Sequence, residues 1–208
     1  MASPTPKPIH DAAAAFDGLP GVGPRAAMRY AYWLAGQPKD AIRQFARAFE
    51  ALSQGLGKCE ICGMWTDAAR CSICSDARRD QTKLCIVSSS QDVRVIEDSG
   101  AFAGRYHVLG GMIDPIEGRT PETLNITSLL RRLEAPNNSV AEIILALDPD
   151  VSGDTTALYL TKQFGRFPIS VTRLARGLQH GSQIEYADGA TIGDALRNRR
   201  TLDGSKQA

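Results

Sequence analysis

Apolar and polar positions follow two different rhythms along this chain. Residues 11–55 read as helices, broken by the glycines and prolines at 18–24 and again by Pro38. From residue 84 onward, short apolar runs alternate with helix-spaced ones. "LCIVS" (84–88), "RYHVLGG" (105–111), "EIILAL" (142–147) and "ISVTRLA" (169–175) are expected strands. "DVRVIED" (92–98), "TLNITSLLRRLEA" (123–135) and "GDTTALYLTKQFGRF" (153–167) are expected helices, and a last one runs through "IGDALRNRR". Strands alternating with helices imply βαβ units, a mainly parallel sheet and an α/β class. The expected divisions are 1–58, helical; 59–75, rich in cysteine; 82–176, α/β; and 177–208, a C-terminal segment.

Composition changes this picture little. The chain has 208 residues, 43% hydrophobic and 23% charged, enough to bury a core without disulfides. No apolar run approaches the roughly 20 residues of a membrane span. The start, "MASPTPKPIHDAAAAFDG", lacks the basic head and long apolar stretch of a secretory signal. It reads as a short lead into a helix, and the chain is expected in the reducing cytoplasm. Net charge is +1, so the chain is no polycation. The charge is uneven, however: residues 1–58 hold seven Lys/Arg against four acids, and Arg197, Arg199 and Arg200 cluster near the end. Any nucleic-acid contact is therefore local. A solvated surface is the plain alternative.

Three constellations carry chemistry. In "GLPGVGPRAAMRYAYWL" (18–34), Gly21 and Gly23 flank one apolar residue, and Pro24 suits the first turn of the next helix. That turn exposes free N–H groups and the positive end of a helix dipole, a phosphate-binding geometry. Arg25 and Arg29 share one helix face. The pattern resembles the helix-hairpin-helix element, which binds DNA backbones without reading bases. An ordinary helix turn with two surface arginines is the alternative. The second constellation is Cys59, Cys62, Cys71 and Cys74, spaced C-x2-C, eight residues, C-x2-C. Two close pairs of thiolates suit a closed, structural zinc site, one zinc per chain. Disulfide or redox roles are the alternative, and a reducing compartment argues against structural disulfides. Cys85 lies within an apolar strand and reads as core. His10, in the lead, His107, in a strand, and His180, in a loop, have no ligand spacing and read as non-catalytic.

The third is "LALDPDVSGD", where Asp148 and Asp150 follow an apolar strand and Gly153 and Asp154 come after. D-x-D-x-x-G at a strand end resembles the second signature of the Toprim fold of topoisomerases and primases. There the aspartates hold Mg²⁺, and a glutamate ending the first strand moves the proton. Here that position is Ser88, and a hydroxyl cannot replace a carboxylate in that role. Asp and Pro are also ordinary turn residues. A weak Mg²⁺ site, not needed for function, and a partner-docking face are the two expectations for Asp148, Asp150 and Asp154.

Taken in order, the hairpin, the four-cysteine site and the Toprim signature resemble the bacterial RecR family of recombination mediators. "GRYHVLGGMIDPIEG" (104–118) and "DGATIGDALRNRR" strengthen the likeness, which covers nearly the whole chain. The resemblance implies helix-hairpin-helix, four-cysteine zinc finger, Toprim and C-terminal regions, in DNA repair by recombination. It implies a homo-oligomer, a tetrameric ring or a dimer. It implies partnership with RecO and RecF, help in loading RecA onto gaps, and a cytoplasmic, nucleoid-associated location. By position, Arg25 and Arg29 would contact DNA and the four cysteines would bind zinc. The sequence departs from the family pattern at Ser88 and Ser152, where glutamates are usual, and at Asp148, often non-acidic. A non-catalytic DNA clamp is thus expected. The alternative is a Mg²⁺-dependent Toprim nuclease or topoisomerase-like enzyme, and Ser88 discriminates between the two.

Overall fold

The computed structural model describes residues 4–201, which form two compact units divided between Leu56 and Gly57. In the first, α1 (Lys7–Asp17) and α2 (Pro24–Ala35) pack through small side chains, with Ala13, Ala27 and Ala31 buried. Phe16 meets Tyr30 edge-on, ring centroids 6.0 Å apart. α1 starts earlier than the sequence suggested, so His10 is helical rather than part of a lead. Pro6 stands at its N-cap and Pro8 in its first turn, where a missing N–H costs nothing. The third helix, α3 (Lys39–Gly55), buries none of its 17 residues.

The second unit opens with a small knuckle. β1 (Gly57–Lys58) pairs antiparallel with β2 (Trp65–Thr66), and α4 (Ser72–Ser75) follows. The main sheet is β3 (Asp80–Val87), β4 (Gly104–Val108), β5 (Glu142–Ala146) and β6 (Ser170–Arg173). It is parallel throughout, in the order β4-β3-β5-β6. Helices α5 (Ser90–Asp98), α6 (Ile126–Glu134) and α7 (Val151–Phe164) make the crossovers. A 3-10 turn (Ile184–Tyr186) and α8 (Gly189–Arg197) complete the chain.

Period-two alternation in β3 builds a core on each face. Leu84 and Ile86 join Ile143 and Leu145 against Leu129 and Leu133 of α6 and Leu160 and Phe164 of α7. Cys85 and Val87 join Tyr106 and Val108 against Val93 of α5, with Met64 and Ile73 of the knuckle packed on them. Cys85 is therefore core. Burial pushes the His107 pKa down to about 4, and its Nε2–H donates to the Asn125 carbonyl at 2.9 Å. It is a neutral core histidine.

One charged network ties the β3 approach to α5 and β4. Arg79 grips Glu97 with both terminal nitrogens, Nη1 to Oε1 at 2.8 Å, and the Tyr106 hydroxyl donates to the same oxygen at 2.6 Å. The Arg79 guanidinium holds the Glu97 carboxyl below its ordinary value of 4.5. Glu97→Gln should cost about 2 kcal/mol in urea unfolding, because it leaves a half-buried guanidinium short of charge. A carboxyl depressed on folding stabilises fully above its unfolded value. That stability is lost as pH falls through the lower folded value. The substituted chain should therefore lose less stability than the native one between pH 5 and about 3, as acid titration followed by circular dichroism would show.

Candidate functional site

Sheet order places a ligand-competent crevice between β3 and β5. From β3 the chain steps outward to β4, and from β5 it steps outward the other way to β6. Parallel sheets bind ligands at such a reversal, outside the strand carboxyl ends. Ser88 follows β3 there, and Asp148 follows β5. The signature residues thus stand at neighbouring strand ends.

Most of the acids around them are already engaged. Asp150 is the N-cap of α7, its Oδ1 accepting from Gly153 N at 2.7 Å. Asp154 accepts from Arg173 Nη1 at 3.3 Å and, through both its oxygens, from Arg176. The Arg176 guanidinium, with help from Arg173, holds the Asp154 carboxyl below the usual carboxylate range. Asp148 is exposed and has no partner among the described residues. Beside them lies a cavity of about 170 Å³, lined by Asp148, Asp154, Arg173 and Arg176 among others.

Sequence reasoning missed Asp92. It accepts from the Ser88 hydroxyl at 2.6 Å and from Ser89 N at 2.7 Å, so a carboxylate does stand at the end of β3. It is half of a capping box with Ser89 at the start of α5. The signal was legible as S-x-x-D at 89–92. A carboxylate fixed by two donors as a helix cap is poorly placed to shuttle protons. Ser152 donates its hydroxyl to Asp114 at 3.4 Å.

The four cysteines converge as expected. All their sulfurs lie within 4.8 Å of one another, and among the described residues this is the one group of three or more His, Cys, Asp or Glu arranged as metal ligands. Cys59 and Cys62 flank the knuckle turn, where Cys59 N donates to Met64 O at 2.8 Å and Gly63 N to Cys59 O at 2.9 Å. Gly63 has φ +75°, and a Cβ there would strike the Asn125 amide and the Val108 carbonyl. Cys71 caps α4 and Cys74 lies within it. All four are buried and free of disulfides. Burial works against the Cys59 thiolate, but N–H groups of Cys71, Cys62 and Ile61 bring its pKa down to about 6. Burial pushes Cys71 up to about 11, and Cys74 and burial raise Cys62 further. Sulfurs this close cannot all ionise without a cation, so the donor set fits zinc.

At the hairpin, Gly21 has φ +77°, and Val22 N closes the turn on Leu19 O at 3.1 Å. Gly23 caps α2 without any side-chain acceptor, Pro24 begins it, and its first turn holds no acid. The N–H groups of Arg25 and Ala26 therefore point into an uncapped helix end. Arg25 and Arg29 are exposed and have no acidic partner among the described residues. Arg29 lies 5.5 Å from the centre of the Tyr30 ring.

Models of known families match four successive stretches of the chain. Residues 9–52 match the helix-hairpin-helix model of RecR, and residues 56–76 match the RecR zinc finger domain with four cysteine ligands. Residues 82–175 match "Toprim domain", and residues 180–200 match "RecR, C-terminal". A recombination protein RecR of Bifidobacterium longum subsp. infantis is 44% identical over 186 residues, 89% of this chain and 92% of its own. The chain belongs to the RecR family of recombination proteins. A RecR of Treponema pallidum is 43% identical over 188 residues, covering 90% of this chain and 92% of its own. One from Pelotomaculum thermopropionicum is 45% identical over 184 residues, 88% and 91%. The RecR architecture of hairpin, four-cysteine finger, Toprim domain and C-terminal helix therefore holds here, in a protein of DNA recombination and repair. Among the described residues no helix is long and apolar enough to cross a membrane.

Local geometry explains the glycine of the Toprim signature. A Cβ at Gly153 would collide with the Asp148 carbonyl. Gly153→Ala should destabilise the chain by about 2 kcal/mol through this overpacking. Asp150→Ala should cost about 1 kcal/mol through the lost cap, whereas Asp150→Asn should stay near native. Denaturant midpoints of the three variants check both.

Proposed function

We propose that this RecR-family chain is a non-catalytic, DNA-binding recombination mediator. It works with the RecO and RecF repair proteins and helps to load RecA at gaps in the cytoplasm, near the nucleoid. The observation that carries the DNA reading is the hairpin, where uncapped N–H groups and the unpaired Arg25 stand at the start of α2 and the unpaired Arg29 follows one turn on. This geometry suits phosphates and offers nothing to read a base edge. Arg25, Arg29, Gly21 and Gly23 are the DNA-contacting set.

The strand-end site supports a scaffold rather than an enzyme. Ser88 is neutral, Asp92 and Asp150 cap helices, and Asp154 is held by arginines. Asp148 is left as one free carboxylate, enough for a weak Mg²⁺ contact or a partner's basic residue. Zinc, one per chain, is assigned a structural role at Cys59, Cys62, Cys71 and Cys74.

Each arginine removed should weaken binding to all DNA sequences alike and lower the slope of log affinity against log salt by about one unit. An Arg25→Ala, Arg29→Ala double variant that binds at moderate salt as the native chain does would sink the reading. The native chain with Mg²⁺ should leave supercoiled and single-stranded DNA uncut. Cleavage abolished by Asp148→Ala would favour the nuclease alternative instead.

The oligomer is assigned to α3. Ile42, Phe45, Phe49 and Leu52 follow helical spacing, and Phe49 and Leu52 are each 60% exposed. Helix stability comes mostly from packing such a face. Its polar flank carries both signs, Asp40 and Glu50 with Arg43 and Arg47, which suits a second copy of the same helix. Phe49→Glu with Leu52→Glu should lower the solution mass measured by sedimentation. An unchanged mass would place the interface elsewhere.

A further inference from the structure

Arg132 lies in the last turn of α6, half-buried, and its Nη1 donates to the Tyr106 carbonyl of β4 at 2.8 Å. No carboxylate pairs with it among the described residues. A guanidinium away from water needs a compensating charge. The C-terminal end of the α6 dipole supplies only part of one, and the exposed Arg131 already answers that from solvent. Burial is the main influence against the charge of Arg132, and the groups that favour it are Cys74, Cys62 and Cys59. Its other charged neighbour is Arg105, also without a carboxylate among the described residues, whose Nε is buried without an acceptor.

The same strand holds both sides of this arrangement. Tyr106 O receives Arg132, and Val108 N donates to Cys62 O at 2.7 Å. The cation and the sulfur cluster are therefore fixed relative to one another by β4. Four thiolates around one Zn²⁺ carry two negative charges in excess, and Arg132 brings a positive one that no carboxylate among the described residues claims. We propose that Arg132 is a built-in counter-charge of the zinc finger and couples metal retention to the Toprim sheet. The inference rests on the zinc reading above. Arg132 acts here as a positioning residue, through the sulfurs rather than on the metal.

The experiment uses the full chain purified without chelator. Zinc content comes first, because a native chain folded without zinc defeats the metal reading and this proposal with it. On zinc-loaded protein, metal transfer to a colorimetric chelator is then timed. Arg132→Gln keeps a donor for Tyr106 O but no charge, and it should release zinc about tenfold faster. Arg132→Lys keeps the charge and should stay near native, as should Arg131→Gln. Coupling is reciprocal, so stripping the metal should lower the melting temperature less in Arg132→Gln than in the native chain. Native release by Arg132→Gln, or release by Arg132→Lys as fast as by Arg132→Gln, overturns the proposal while leaving the zinc reading intact. If Arg132→Gln does not fold, Arg132→Met carries the comparison, and native release there is equally fatal.

Discussion

Four sulfurs held within 4.8 Å of one another, all buried, set the terms for what surrounds them. Neighbouring thiolates repel, and burial penalises each one, so the cluster can hold four thiolates together only around a cation. The elements that deliver the sulfurs are too short to order themselves. β1 and β2 have two residues each and α4 has four, well below what an isolated hairpin or helix needs. Once gathered, the finger gives the sheet more than a metal site. Met64 and Ile73 extend the core on the α5 face, and Cys62 O takes up the Val108 N–H on edge strand β4. An edge closed in this way is a poorer template for stray pairing.

Acids at the strand ends are handled by a different device. Helix starts absorb Asp92 and Asp150, and two arginines absorb Asp154. Each is a local solution to a local charge, and together they stabilise the crossovers that frame the crevice. A phosphoryl-transfer site demands the opposite, carboxylates left free and converging on one point. The crevice between β3 and β5 keeps the topology of a ligand site, with Asp92, Asp150 and Asp154 in structural use and Asp148 left free.

How much of this was legible follows from where each signal resides. The four long strands and their crossovers were readable because burial on both faces writes apolar runs into β3 and β5. The cysteine site was readable because its ligand spacing is local to the sequence. The knuckle strands were not, since two residues carry no period. Asp92 was legible as the N3 carboxylate of a capping box with Ser89, but only the fold shows that this carboxylate also takes the Ser88 hydroxyl. Arg132 was not legible, because its acceptor, the Tyr106 carbonyl, lies on β4, 26 residues back. α1 starts before residue 11 because its prolines fall at the N-cap and in the first turn, which tolerate them.

Arginine occurs throughout this chain in two states, and the difference bears on where a polyanion is held. Arg79 and Arg176, both largely covered, each meet a carboxylate within the fold. Arg119, Arg166, Arg173 and Arg197 do so at the surface. A guanidinium already neutralised by an aspartate has to give up that partner before it can replace a counterion on DNA, so its net gain is small. Arg25 and Arg29 give up nothing, since no acid among the described residues competes for them and the α2 dipole adds to their field. Charge counted along the sequence treats all of these alike. Charge counted after pairing leaves Arg25 and Arg29 unspent beside an uncapped helix start, as the DNA reading proposed above requires.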